Sequence, residues 1–208
     1  MDETTDLSRT TPEDGKAVLL RYLRSQRDGL ASKVDGLSEY DARRPLTPTG
    51  TNLRGLVKHV ASVQLGYLTD VFGRPSGREL PWDAEDAEPD ADLWVTAEES
   101  REDVLELHRF SAEQADATVA ALDLDARGEV PWWPAERRAV TLQQVLVHLC
   151  VETARHAGHA DILRELVDGA TGQRPGDPNV TGRSGDEWAV HRARIEEAAR
   201  VAGGGLPS

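Results

Sequence analysis

Apolar residues recur at helical spacing in four long stretches of the chain. Val18, Leu19, Tyr22, Leu23, Leu30 and Val34 mark the first, which is expected to open at Thr11-Pro12-Glu13-Asp14 and run to about Leu37. Proline is tolerated in a first helical turn, and acids there face the positive end of the helix dipole. Residues 38–44 read as a short helical turn stopped by Pro45 and Pro48. A second helix is expected after Gly50, capped by Thr51 or Asn52 and ending near Phe72-Gly73. Its apolar face carries Leu53, Leu56, Val57, Val60 and Val63, with His59 among them. Thr96-Ala97-Glu98-Glu99 has the spacing of a capping box and predicts a third helix to about Leu122. Thr141-Leu142-Gln143-Gln144 repeats that signal, and a fourth helix follows through Val145, Leu149, Ile162 and Leu166 to Gly169.

The connections differ in length. The acidic stretch from Arg74 to Val95 holds Pro75, Pro81, Trp82, Pro89 and Trp94, and loops of this length often cover a functional site. A second connection carries Pro131-Trp132-Trp133-Pro134. The pattern as a whole predicts an all-α protein: a four-helix bundle over residues 11–169, with disordered residues 1–10 before it. Residues 170–202, a loop and a helix from about Asp186 to Ala202, are expected to pack on the bundle as an appendage. Residues 203–208 form a flexible tail.

Composition agrees with helix. Aromatic residues make up only 5% of the 208, and Ala, Leu, Arg and Glu are abundant where a sheet would favour β-branched and aromatic side chains. The net charge of −13 argues against nucleic acid and against anionic membrane surfaces as partners. Cys150 is the only cysteine, so no intrachain disulfide can form and a reducing compartment is expected. Its apolar neighbours Leu149 and Val151 suit a small buried hydrophobe better than a nucleophile. The polar N-terminus is unlike a signal peptide, and no apolar run approaches the roughly 20 residues needed to cross a bilayer. A cytoplasmic protein is expected.

Candidate chemistry concentrates on the fourth helix. His148, Glu152 and His156 stand four residues apart and share one stripe, which His159 extends. Imidazole and carboxylate are ligands for divalent zinc, and a catalytic zinc needs three protein ligands and one open position. Two ligands from this helix and a third from a facing helix would meet that need, and His59 is the natural third donor. Histidines near apolar faces also serve as ordinary core or boundary residues, and Glu/His pairs at this spacing as helix support. His108 and His191 are expected to face solvent.

The segments Leu53-Arg54-Gly55-Leu56-Val57-Lys58-His59-Val60-Ala61 and Glu152-Thr153-Ala154-Arg155-His156-Ala157-Gly158-His159-Ala160-Asp161 together resemble the DinB-like superfamily. Within it the likeness is to an actinobacterial branch related to mycothiol-dependent S-transferases, and it covers the chain from about Thr11 to Ala202. The resemblance implies a four-helix bundle with a divalent metal, zinc by preference, held by His59, Glu152 and His156. Many relatives have histidine where this chain has Glu152. The implied cosubstrate is a small-molecule thiol such as mycothiol, activated for attack on an electrophile. His159, with Asp161 as the weaker candidate, would assist proton transfer, and Arg155, with the loop residues Arg137 and Arg138 as further candidates, would contact the polar thiol. A homodimer is compatible with such a bundle. Two further readings stay open: a metal-dependent hydrolase or isomerase, and a non-catalytic metal- or ligand-binding bundle. If His148 completed a fourth ligand, the enzymatic readings would weaken.

Overall fold

The computed structural model describes residues 13–174 and 176–204; the expectations for residues 1–12 and 205–208 lie outside these. The chain divides into two compact units with the boundary after Arg174. The first holds helices α1 (Gly15–Ala31), α2 (Glu39–Arg43), α3 (Leu53–Leu68), α4 (Arg101–Ala121) and α5 (Leu142–Asp168). The four long ones pack as a bundle, α3 against α4 and α5, and α1 against α5 and α4. The second unit holds α6 (Gly185–Ala202), opened by a reciprocal Ser184–Glu187 capping box. Among the described residues no helix is long and apolar enough to cross a membrane.

α3 is the central element. Leu53, Leu56, Val57, Val60, Ala61, Leu65 and Leu68 are all buried along it, and so are Arg54, Lys58 and Gln64. Each large aliphatic side chain buried this way contributes about 1.5–3 kcal/mol. The charged ones need partners, because an unpaired buried charge is costly. Arg54 meets the Glu39 carboxylate at 2.9 Å, and Glu39 also accepts from Arg101 and Arg43. This tie joins α2, α3 and α4 at one end of the bundle.

The turn signals were legible to within a few residues, and the departures have local causes. α1 stops at Ala31 and tightens into a 3-10 turn over Ser32–Val34, before Gly36 at φ +71°. Ser32 Oγ donates to the Gly29 carbonyl there at 2.7 Å, and Lys33 turns inward. α4 begins at Arg101, later than the Thr96 motif implies. Glu99 accepts from the Thr96 N–H at 2.7 Å but also pairs with Lys58 at 2.8 Å, and Ser100 with Asp103 forms the working capping box. The connection after α4 contains a small antiparallel pair, β1 (Arg127–Glu129) and β2 (Ala139–Thr141), which presents Trp132 and Trp133 between its strands. His108 is buried, not solvent-facing: burial and then the Arg27 charge hold its pKa below the usual imidazole value.

Candidate metal centre

α3 and α5 bring three of the expected residues together. His59 Nε2 lies 3.6 Å from Glu152 Oε1, and His156 Nε2 lies 2.9 Å from the same oxygen. The two imidazoles sit edge to face with centroids 4.7 Å apart. One ligand atom from each of His59, Glu152 and His156 falls within 4.8 Å of the others, and among the described residues no other such group of three occurs. The spacing on α5 explains half of this, since residues four apart project from the same face. The rest follows from α3 packing on α5.

The three groups are electrostatically coupled. Burial lowers the basicity of His59, but its contacts with Asp92 and Glu152 outweigh that and raise its pKa. Burial, and then the charge of His59, lowers the pKa of His156. Burial raises the Glu152 pKa, yet the two histidines prevail and hold it below the usual carboxylate value. Asp83 is pushed upward by burial and then by the charges of Asp92 and Asp70.

Asp92 fixes the orientation of His59. Its Oδ2 lies 2.6 Å from His59 Nδ1, so a neutral imidazole donates from Nδ1 and keeps a lone pair on Nε2, toward Glu152. Asp92 belongs to a strap, residues 91–94, laid directly on α3. Lys58 donates to the Ala91 and Trp94 carbonyls, each at 3.0 Å, and Asn52 donates to Leu93 O at 3.3 Å. Gly55 makes the approach possible: a Cβ there would stand 1.8 Å from the Leu93 oxygen.

The donor set suits a divalent metal on these observations. Two imidazole nitrogens and one carboxylate converge, His59 has the carboxylate-supported tautomer that ligating histidines use, and His156 makes its hydrogen bond through the nitrogen facing the cluster. His156 Nδ1 is buried without a hydrogen-bond partner among the described residues.

The remaining expected residues fall around this centre. His159 is exposed, its ring 5.5 Å from that of His156. Arg155 is exposed on the same helix. Asp161 is paired with Lys33 at 2.8 Å. His148 is not in the metal-ligating group; its ring packs against Tyr67 at 4.9 Å and Trp133 at 5.2 Å. Cys150 is half-buried, its thiol on the Leu19 carbonyl at 3.5 Å, and burial pushes its pKa up. Sequence reasoning missed Asp92, Lys58 and Gly55. Asp92 is one acid among many between Asp83 and Asp92, whereas a glycine in the first turn of a strongly apolar helix is a legible sign of close backbone approach.

Fold and site together define a helical bundle protein with a two-histidine, one-glutamate centre between facing helices. The mycothiol-S-transferase family model matches residues 18–169, and the chain belongs to that family. The DinB-like fold expected from the two motifs is thereby borne out. A crystal structure of a conserved protein from Enterococcus faecalis shares the fold, with a TM-score of 0.56 at 17% identity. The match spans 76% of this chain and 100% of that one. No curated protein matches the chain.

Proposed function

We propose that the protein is a divalent-metal-dependent transferase, using zinc, that activates the thiol of mycothiol for attack on an electrophile. The observation that carries this reading is the convergence of His59, Glu152 and His156 in a chain matched by the mycothiol-S-transferase model. A zinc ion in this donor set would favour the thiolate of a bound thiol at neutral pH. His59, Glu152 and His156 would hold the ion, with His59 oriented by Asp92. His148 lies outside the metal-ligating group, which supports a three-ligand set with room for a substrate. Exposed His159, beside His156, takes the thiol proton in this reading, because Asp161 is already engaged by Lys33. Arg155 would meet the polar body of the thiol from the exposed face of α5.

The test is disappearance of free mycothiol thiol with an alkyl halide or an activated alkene, using zinc-loaded and chelator-stripped protein. Transfer that requires both the ion and His156 supports the reading. Equal rates with and without the ion contradict it.

A further inference from the structure

One turn along α5 from Glu152, a second cluster joins the same two helices, and none of its polar groups is used by the centre. Tyr67 is 7% exposed, and its hydroxyl oxygen accepts from both neighbouring indoles, Trp133 Nε1 at 2.7 Å and Trp132 Nε1 at 3.2 Å. A phenol oxygen has two acceptor sites, so both are taken. Its own hydrogen has no acceptor among the described residues, and two donors on the oxygen make that hydrogen a better donor. His148 packs edge or tilted against Tyr67 and Trp133, and it too makes no hydrogen bond among the described residues. Trp132 is 54% exposed and passes over Gly66, 3.9 Å from where a Cβ would stand.

Both helices place this cluster beside the centre. His148 lies four residues before Glu152, a rise of about 6 Å along α5, and Gly66 lies seven residues after His59 on the same face of α3. Along α3 and α5 the ligand cluster is therefore followed, about one turn on, by a cluster of aromatic rings holding one unused O–H donor.

We propose that Tyr67, His148 and Trp132 form the acceptor subsite, which takes a planar, apolar electrophile bearing a carbonyl oxygen conjugated to an alkene. The inference rests on the thiol-transfer reading and deepens it by naming the electrophile class. The thiolate sulfur bonds to the β-carbon, the alkene π pair moves toward the carbonyl oxygen, and the Tyr67 O–H donates to that oxygen as charge develops there. A solvent proton completes the product, so that the thiol adds across the double bond and no group leaves. Trp132 stacks on the flat face of the substrate, and the indole N–H groups stabilise the tyrosine oxygen as its hydrogen is drawn away.

The experiment compares benzylideneacetone, a conjugated ketone, with phenethyl bromide, which has the ring but no oxygen, in the zinc-loaded enzyme with mycothiol. Tyr67→Phe is expected to lower the kcat/KM ratio of ketone to bromide at least tenfold, in line with the loss of an oxyanion donor. Benzylacetone, the unreactive saturated ketone, gives a readout free of metal and thiol. Its saturable quenching of tryptophan fluorescence should weaken in Tyr67→Phe and, by isotope-edited NMR, in Trp132→Ala, whose exposed ring can be removed without opening the core. An unchanged ratio in Tyr67→Phe, or benzylacetone binding unaltered in Trp132→Ala, overturns the proposal. If wild type transfers thiol to neither compound, the thiol-transfer reading falls by itself. Weakened benzylacetone binding in both variants would still support the subsite, and unaltered binding would remove it as well.

Discussion

Asp92 Oδ2 sits 2.6 Å from His59 Nδ1, which turns the other nitrogen of that ring toward Glu152 and the centre of the ligand cluster. A residue from a long acidic loop thereby sets the tautomer of a residue on the central helix. Asp92→Asn should weaken zinc binding about 10–100-fold, the usual consequence of losing such a support, with helical circular dichroism unchanged. A competition titration against a chromophoric chelator reads this directly, and equal affinity in both proteins would show that Asp92 has no such role.

Gly55 is not itself a candidate ligand, yet it carries the strap. Gly55→Ala puts a Cβ 1.8 Å from the Leu93 oxygen, a backbone atom that cannot rotate away. The variant should lose at least about 1–3 kcal/mol of stability from overpacking, read as a lower urea midpoint. Its zinc affinity should also fall, because Asp92 moves with Leu93. Wild-type stability in the variant would mean that the strap does not press on Gly55.

Acid sensitivity should trace to Glu39. Its hydrogen bond to Arg54 comes first among the causes holding its pKa far below the usual carboxylate value, with Arg101 and Arg43 assisting. A pKa depressed by folding contributes stability above the unfolded value of about 4.3, and that stability is lost as pH falls toward the folded value. Glu39 is half-exposed, so solvent screening reduces the effect, but its partner Arg54 is 1% exposed and is left without its carboxylate. Glu39→Gln should be less stable at pH 7 and show a flatter loss of stability from about pH 5 to pH 3. Parallel pH curves for the two proteins would contradict this.

Glu152→Gln should weaken zinc binding less than removal of either histidine, since the amide oxygen can still coordinate while the negative charge is gone. Metal analysis of the dialysed variant checks the order. A complete loss with Glu152→Gln beside retention in His59→Ala would reverse the assignment of which ligands dominate.

The bundle was legible because its signals are local. Capping pairs at Thr141–Gln144 and the apolar spacing of α3 and α5 need only a few neighbouring residues to be read. Glu152 and His156 were legible for the same reason, as one turn of one helix. The strap was not, because Asp92 reaches His59 across 33 residues and nothing in an acid-rich loop distinguishes the one acid that turns inward. The start of α4 shows a related limit. Glu99 satisfies the local capping pattern, but Lys58 on α3 competes for its carboxylate, and Ser100 opens the helix in its place. His108 was read as exposed because its charged neighbours Glu106 and Arg109 mask the inward face it shares with Leu107 and Ser111.

Metal content of purified wild type, His59→Ala and His156→Ala, by plasma mass spectrometry after zinc supply and dialysis, tests the central claim most directly. The geometry predicts about one zinc per chain in wild type and almost none in either variant, with helical circular dichroism retained in all three. Zinc absent from wild type, or equally present in all three proteins, would contradict a centre built from His59, Glu152 and His156.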